Sequence, residues 1–439
     1  MRKGERMKFF VHTFGCKANR YDTEVIAQSL VDAGHFRVSD PSLADIRVVH
    51  TCAVTRRAES KSVRCVRKLG EDDGDRRTVV LGCAVERDPG IFHGLPRVSL
   101  SLGSAEKYDL PRYLGREGIA VRTRVLSGKV KRRGIPIDQS GLRRFEGRSR
   151  AFLKIQDGCD NRCSYCIIPS LRGSSVSRSP GAVIEEARSL AAAGYREVVL
   201  TGVHIGLYGR DLSPRFSLLD LIRELLERTR GTRFRLSSLD AHEIPDGLIG
   251  LMATSNRLCR HLHIPLQSGS PRVWKAMCRR GTVDEFQEAC ARAIEAIPAI
   301  GLGTDVIVGF PGETDEDFVL TRRIIETIPF SYVHIFPFSS RPDTPASRMT
   351  GQRISDSTIR QRSAELGATA RARGREFRRK IQGGVEEVVI EQAKETWLTG
   401  RCSNYVKVYL KAVSVEKGAL VKVTVDGLWR DGVRAVLSG

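Results

Sequence analysis

The sequence predicts an α/β protein with an all-β end: a Rossmann-like amino-terminal domain, a partial TIM-like (β/α)6 barrel and a small carboxy-terminal β-barrel. Three observations predict it. Short apolar runs alternate with amphipathic helical runs, first over residues 8–81 and again over residues 152–336. A strongly basic stretch, poor in apolar pattern, separates the two series. From about residue 376 the texture changes to alternating and β-branched runs joined by Gly and charged turns.

In the first series, residues 8–12 form a short strand, TFGCKAN a loop, and residues 22–33 an amphipathic helix that stops at Gly34. Residues 46–50 are a second strand, 56–69 a helix and 78–81 a third strand. This β-α-β-α-β order predicts a mostly parallel sheet, in a domain spanning residues 1–107. Residues 108–144 form a basic linker. Over 112–150 the chain carries twelve Lys or Arg against three acids, a net of +9. That suits a linker that also touches phosphates, although a solvated linker explains the same residues. The second series has strands at 152–156, 197–201, 233–237, 262–266, 304–308 and 332–336, with helices at 182–193, 217–228, 284–296 and 315–328. Six repeats within residues 145–375 predict a parallel β/α barrel, short of the eight strands that close one. Strands at 386–392, 405–413 and 419–425 form the last domain, residues 376–439, and the basic run 371–380 leads into it as an arm.

The 439 residues hold 72 Lys and Arg against 51 Asp and Glu, a formal net charge of +21. A charge of that size concentrates polyanions, nucleic acid first and an anionic membrane surface second. No apolar run approaches the roughly 18 residues that a membrane span needs. The basic start MRKGERMKFFVHTF lacks a small-residue cleavage site, so a cytoplasmic protein with no membrane partner is expected. Eleven cysteines are many for a reducing compartment, and the count is odd. Clustered cysteines there bind metal or do redox work.

Cys159, Cys163 and Cys166 stand as C-x3-C-x2-C just after the first strand of the second series. Three thiolates in so short a loop can hold three irons of a cubic [4Fe–4S] cluster and leave the fourth open to a cofactor or substrate. Structural zinc is the alternative, and it needs a fourth ligand that no His or Cys in the next few residues supplies. Cys16, Cys52 and Cys83 each fall immediately beyond a strand of the first series, in TFGC, HTC and LGC. In a parallel sheet those loops converge on one edge, where such folds place their sites. Gly15 and Gly82 suit the tight turns beside them. A second cluster with one open iron is the functional reading, and three buried structural cysteines the plain one. Cys65, Cys259, Cys278, Cys290 and Cys402 follow no such pattern and are expected to be structural.

TFGCKANRYDTE, GCDNRCSYCIIPSLRGSSVSR, LTGVHIGLYG, LHIPLQSGS and DVIVGFPGET together resemble, over nearly the whole chain, the radical S-adenosylmethionine (SAM) methylthiotransferase family. That family joins an amino-terminal cluster domain, a radical SAM barrel and a small TRAM barrel. GCK-x-N around Cys16 and RLSSLD at 235–240 are similar to the branch that modifies threonylcarbamoyladenosine at position 37 of transfer RNA, with Ala18 where that branch has Val. Two other branches act on isopentenyladenosine-37 and on an aspartate of a ribosomal protein. The resemblance implies that Cys159, Cys163 and Cys166 hold a [4Fe–4S] cluster whose open iron binds SAM. It implies that Cys16, Cys52 and Cys83 hold a second [4Fe–4S] cluster, which carries the transferred sulfur. It also implies a one-electron reductant, a sulfur donor and a radical that takes hydrogen from adenine C2, a carbon that offers acid–base chemistry no proton. The target base must leave its stack to reach the clusters.

For the cofactor pocket the expected residues are Tyr165 between two cluster ligands, Arg178 after the cluster loop, Ser238 at the end of RLSS, and Gln267 and Ser268 beyond LHIPL. Asp305 joins them, in a strand whose neighbours bury it and demand a partner. Each of these serves equally well as an ordinary backbone partner. Arg371, Arg373, Arg375, Arg378, Arg379 and Lys380 are the expected phosphate contacts to a tRNA anticodon stem-loop, which position RNA without choosing the base. Threonylcarbamoyl carries a carboxylate, so a basic residue is expected to line the base pocket. A non-catalytic Fe–S or zinc RNA-binding protein explains the charge but not two thiolate triplets without fourth ligands. An electron carrier leaves the β/α series unexplained.

Overall fold

The computed structural model describes residues 6–71, 76–116, 124–126, 141–394, 396–411 and 414–438. Of the expected basic linker, Arg122, Lys129, Lys131, Arg132 and Arg133 lie outside the described residues.

The first sheet consists of β1 (Lys8–Thr13), β2 (Phe36–Arg37), β3 (Ile46–Thr51), β4 (Arg77–Gly82), β5 (Val98–Leu102) and β6 (Arg124–Leu126). All pair in parallel, in the order β2-β1-β3-β4-β5-β6. β3 and β5 are buried along their whole length, as strands of a sheet covered on both faces are. Helix α1 (Lys17–Asp32) begins at the residue after Cys16. The expected TFGCKAN loop is therefore a strand-to-helix elbow, and the helix starts well before residue 22. Asn19, Asp22 and Thr23 in its first turns are buried on polar partners, so the apolar period is silent there. Thr55 caps α2 (Arg56–Leu69), its hydroxyl accepting from the Ala58 N–H at 3.2 Å. Glu59 in the first turn and Arg67 and Lys68 in the last suit the helix dipole. α3 (Cys83–Arg87) and α4 (Leu110–Arg116) complete this part.

The second part runs β7 (Ala151–Lys154), β8 (Gln156–Asp157), α5 (Ile168–Arg172), β9 (Val176–Ser177), α6 (Pro180–Ala192), β10 (Glu197–Thr201), α7 (Leu218–Arg228) and β11 (Arg233–Leu236). It continues α8 (Leu248–Thr254), β12 (His261–His263), α9 (Pro271–Ala276), α10 (Val283–Ala296), β13 (Gly301–Val308), α11 (Asp315–Thr327) and β14 (Tyr332–Pro337). β7, β10 and β11 pair in parallel, as do β12, β13 and β14, and a parallel bridge from Phe234 to Leu258 joins the two sets. This is the expected open (β/α)6 barrel, with one buried apolar core that includes Leu153, Leu200, Leu236, Leu262 and Val306. Capping boxes at Ser217/Asp220, Thr282/Glu285 and Thr314/Asp317 start α7, α10 and α11.

Helix α12 (Asp356–Lys380) follows, 25 residues long, with Ser355 accepting from the Thr358 N–H at 3.1 Å. It buries a single stripe of Arg362, Leu366, Ala370, Gly374 and Phe377. The expected arm at 371–380 is the end of this helix, and the expected boundary at 375/376 falls inside it. The strands β15 (Val385–Lys394), β16 (Trp397–Cys402), β17 (Lys407–Lys411), β18 (Leu420–Trp429) and β19 (Gly432–Leu437) close a barrel in the order β15-β16-β17-β19-β18. β16 and β19 escape the sequence pattern because Gly400 and Gly432 sit where a neighbouring strand leaves no room for a Cβ. Phe377 and Ile381 enter this barrel's core.

The closed barrel covers the N-terminal ends of the β/α strands. Arg233 donates to the carbonyls of Glu387 and Arg401 at 2.9 and 3.0 Å, and Arg235 to those of Ser403 and Cys402 at 2.8 and 2.9 Å. Both guanidiniums pair with the buried Glu197. Tyr405, in the left-handed region at φ +71°, rests on His261 and Tyr332. Arg150, expected in a phosphate-touching stretch, is taken up by Glu197 and Glu391. Among the described residues, no helix is long and apolar enough to cross a membrane.

Candidate active site

Cys16, Cys52 and Cys83 follow β1, β3 and β4, which lie side by side, so the three loops share one sheet edge. Gly15 rests directly on Cys52. A Cβ there would lie 2.8 Å from Cys52 Cβ and 2.9 Å from its sulfur, and φ is +100°. Gly82, also at φ +100°, is packed on the His50 ring at 2.5 Å from where a Cβ would be. Burial pushes the Cys52 thiol up to about 12, and Cys83 and Cys16 push the same way. Thiols so placed ionise readily only when a cation takes up the charge.

Cys159 follows β8 and donates its N–H to the Gly173 carbonyl at 3.0 Å. The loop is pinned at Ser164, whose N–H and hydroxyl donate to the carbonyls of Met277 and Ala276, both at 2.9 Å. Burial pushes Cys166 up to about 12 and raises Cys163 as well. Among the described residues, the His, Cys or carboxylate trio whose donor atoms all lie within 4.8 Å of one another is His204, Asp240 and Glu243. Each cysteine set offers three thiol sulfurs, the donor chemistry of a cubic cluster in which each thiolate binds a different iron and one iron is left open.

The two triads are neighbours. Ile167 and Leu171, just after Cys166, pack with Ala53 and Cys83. Beneath them lies a buried charge network. Arg172 donates to both oxygens of Asp157 at 2.8 Å, to Asn19 Oδ1 at 2.5 Å and to Asp22 at 3.2 Å. Lys107 at 2.5 Å and Lys154 also reach Asp22, and Lys154 meets Asp157 at 2.9 Å. Burial works against both carboxylates, but these cations hold Asp22 and Asp157 well below the usual carboxyl range.

The expected pocket residues divide. Tyr165 packs beside Phe310 and Met277, and its hydroxyl accepts from Arg279 at 3.3 Å. Ser238 is exposed just beyond β11. Gln267 sits at φ +64°, fixed by backbone bonds to Asp305 and Ile307 at 2.7 and 2.9 Å. The other three are engaged by partners of their own. Arg178 is fully buried and braces Glu186 at 2.5 Å, Tyr21 at 2.9 Å and the Lys154 carbonyl at 3.1 Å. Ser268 is buried, and its hydroxyl accepts from the Ser270 N–H at 3.2 Å, a local turn bond. Asp305 is partly exposed in mid-strand and pairs with His263 at 3.2 Å. On α12, Arg371, Arg375, Arg379 and Lys380 are exposed, Arg378 is half-buried, and Arg373 pairs with Glu376 at 2.8 Å. Of the five cysteines expected to be structural, Cys259, Cys290 and Cys402 are buried, Cys65 is partly so, and Cys278 is exposed.

Sequence reasoning missed two features. Arg279 joins Asp240 at 2.9 Å beside Cys163 and Tyr165, and His204 lies 3.4 Å from the Cys159 sulfur. His204 was visible within LTGVHIGLYG, but nothing in its spacing ties it to Cys159. The second is a cavity of about 960 Å³ whose wall includes Phe14 and Gly15 of the elbow before Cys16, Gly309 and Phe336. Arg56, Arg57, Lys61 and Arg353 stand around it, exposed and in no ion pair among the described residues, against the single acid Asp356. Phe336 is 42% exposed, an aromatic face left open beside four cations.

A model of the Radical SAM superfamily matches residues 153–325, and one of an uncharacterised family, UPF0004, matches residues 8–103. The chain is 36% identical over 425 residues to the threonylcarbamoyladenosine tRNA methylthiotransferase MtaB of Bacillus subtilis, covering 94% of this chain and 92% of that protein. It is 35% identical over 433 residues to MtaB of Thermotoga maritima, covering 96% and 95%. It is 33% identical over 439 residues to the tRNA-2-methylthio-N(6)-dimethylallyladenosine synthase of Dictyoglomus thermophilum, covering 96% and 97%. Among solved structures, the radical SAM methyltransferase TsrM of Kitasatospora setae superposes with a TM-score of 0.60 at 16% identity, over 78% of this chain and 77% of that one, a likeness of fold. Radical SAM enzymes use a [4Fe–4S] cluster and SAM, and methylthiotransferases carry two clusters, the number of three-thiolate sets found here. The chain belongs to the radical SAM tRNA methylthiotransferase family.

Proposed function

We propose that the protein converts N6-threonylcarbamoyladenosine at position 37 of tRNA to its 2-methylthio derivative. In this reading Cys159, Cys163 and Cys166 hold the cluster that binds SAM, and Cys16, Cys52 and Cys83 hold the auxiliary cluster. When bound, these cofactors supply the one-electron chemistry and the sulfur, with a reductant and a sulfur donor as outside partners. The chain's own residues do the holding. The Gly15 and Gly82 elbows let three thiolates approach, Ser164 fixes the second loop, and Arg172 ties the two together. The anticodon stem-loop is the RNA element that fits, with its target base unstacked toward the cavity beside Gly15. Arg56, Arg57, Lys61 and Arg353 would meet its phosphates.

The observation that carries the reading is the pair of adjacent three-thiolate sets beside a cation-rimmed cavity, in a chain 35–36% identical to proteins named for this substrate. Lys17 supports the branch. It follows Cys16 and is in no ion pair among the described residues; burial, with Arg150 and Arg235 nearby, lowers its pKa against the opposing pull of Tyr405 and Asp305. A base that bears a carboxylate would supply the counter-charge this amine lacks, and an apolar isopentenyl group would not.

Nucleoside mass spectrometry of total tRNA from a strain lacking the gene tests the proposal. Loss of 2-methylthio-threonylcarbamoyladenosine, with build-up of the unthiolated nucleoside and restoration by the gene, is the expected result. Loss of the isopentenyl counterpart instead would overturn the substrate and keep the reaction. No change in either would overturn both substrate readings.

A further inference from the structure

Beyond β10 the chain turns sharply, and the N–H groups of Val203 and His204 donate to Gln156 Oε1 at 3.1 and 2.8 Å. This fixes His204 over the loop that carries Cys159, where its side chain is 7% exposed. Nδ1 lies 3.4 Å from the Cys159 sulfur, and Nε2 lies 2.5 Å from Glu243 Oε2 and 3.6 Å from Asp240. The carboxylates have fixed places of their own. Asp240 accepts from Arg279 at 2.9 Å and from Asn161 at 3.3 Å, and Glu243 is buried against Gly206.

Counting hydrogens decides what this row does. A carboxylate only accepts, so Nε2 must carry a hydrogen to meet Glu243. Cys159, as an iron ligand, is a thiolate and also only accepts. A 3.4 Å contact to it is a hydrogen bond when Nδ1 carries a hydrogen as well. With acceptors on both sides, the ring is a two-ended donor. His204, Asp240 and Glu243 are close enough to surround a cation. Arg279 already occupies Asp240, however, and the ring itself stands between the carboxylates and the sulfur. The ring thus presents Nδ1 to the sulfur and Nε2 to the carboxylates.

We propose that His204, held by Glu243, is a positioning residue that donates a hydrogen bond to the Cys159 sulfur and so raises the reduction potential of the SAM-binding cluster. The physical reason is that reduction adds negative charge to the cluster, and part of it resides on the thiolate sulfurs. A fixed N–H aimed at one of them stabilises the reduced state more than the oxidised one. The electron comes from the one-electron reductant that the reaction already requires. The inference rests on Cys159 being a ligand of that cluster.

The test is an EPR-monitored redox titration of the reconstituted two-cluster protein, with the SAM-binding cluster identified as the signal that SAM perturbs. His204→Gln is expected to lower the reduced-to-oxidised ratio of that cluster about tenfold at fixed poise, a 59 mV fall for one electron. Iron content and the midpoint of the other cluster stay unchanged. Glu243→Gln keeps the ring but weakens its anchor, and is expected to move the same midpoint down by less. Unchanged midpoints in both variants, at full iron content, would overturn the proposal. If His204→Gln loses iron, Glu243→Gln alone decides. A Cys159→Ala protein that retains the SAM-perturbed signal would overturn the ligand reading, and the proposal with it. A Cys159→Ala protein without that signal, beside unmoved midpoints, sinks the proposal alone.

Discussion

Arg172 grips Asp157 through both carboxylate oxygens at 2.8 Å and turns its other nitrogen to Asn19, three residues past Cys16. One guanidinium thus spans from the loop that carries Cys159, Cys163 and Cys166 to the elbow that carries Cys16. Arg172→Met should leave Asp157 and Asp22 underpaired in the interior and cost about 3–5 kcal/mol. Urea unfolding would measure it. Because Lys107 and Lys154 remain, the fold should survive while iron retention at both triads falls.

The same network sets an acid limit. Asp22 and Asp157 are held below the ordinary carboxyl value. Their stabilisation is fully present above the unfolded value of about 3.9 and is lost as pH falls toward the folded values, where the unfolded chain binds more protons. Unfolding free energy should therefore drop steeply below about pH 4. The steepness should be smaller in Asp157→Asn, already destabilised at pH 7. Equal slopes in the two proteins would assign the acid limit elsewhere.

Gly15→Ala should act on one cluster alone. The added Cβ would meet Cys52 at under 3 Å and occupy a backbone conformation that L residues avoid. Iron content is expected to fall by about half. The SAM-perturbed EPR signal should remain, and methylthio product should vanish. Loss of both signals would mean that the elbow supports the whole fold.

Around the cavity, Arg56→Gln, Arg57→Gln and Lys61→Gln should each weaken anticodon stem-loop binding. Each should reduce the slope of log affinity against log salt by about 0.7–0.9 if its side chain neutralises one phosphate. Arg373→Gln is the comparison, since Arg373 is engaged by Glu376, and it should change the slope least.

Arg235→Met should loosen the closed barrel from the β/α strands. Glu197 loses one of its two closest partners, and the carbonyls of Cys402 and Ser403 lose their donor. Limited proteolysis near residues 381–384 should become faster while the iron signals persist.

The alternating strands were legible because parallel strands in a covered sheet are short apolar runs, and both cysteine triads were legible because they stand at strand ends. The first turns of helix α1 bury Asn19, Asp22 and Thr23 on specific polar partners, which apolar periodicity does not register. The end of α12 read as an arm because its Arg and Lys outnumber a buried stripe of one residue per turn. Arg178 looked like a ligand of the cofactor by position alone, and only the fold shows Glu186 and Tyr21 across from it. Partners distant in sequence, such as His204 and Cys159 or Arg279 and Asp240, leave no local trace.

Helix α12 has a mechanical consequence. Its first residues, Asp356 and Ile359, wall the cavity, and Phe377 near its end is embedded in the closed barrel. Twenty-five helical residues make a strut of about 37 Å, and the path from Asp356 to Arg371 is about 22 Å. The strut works as a spacer: it holds the cations around the cavity and the basic end of the helix at one set separation.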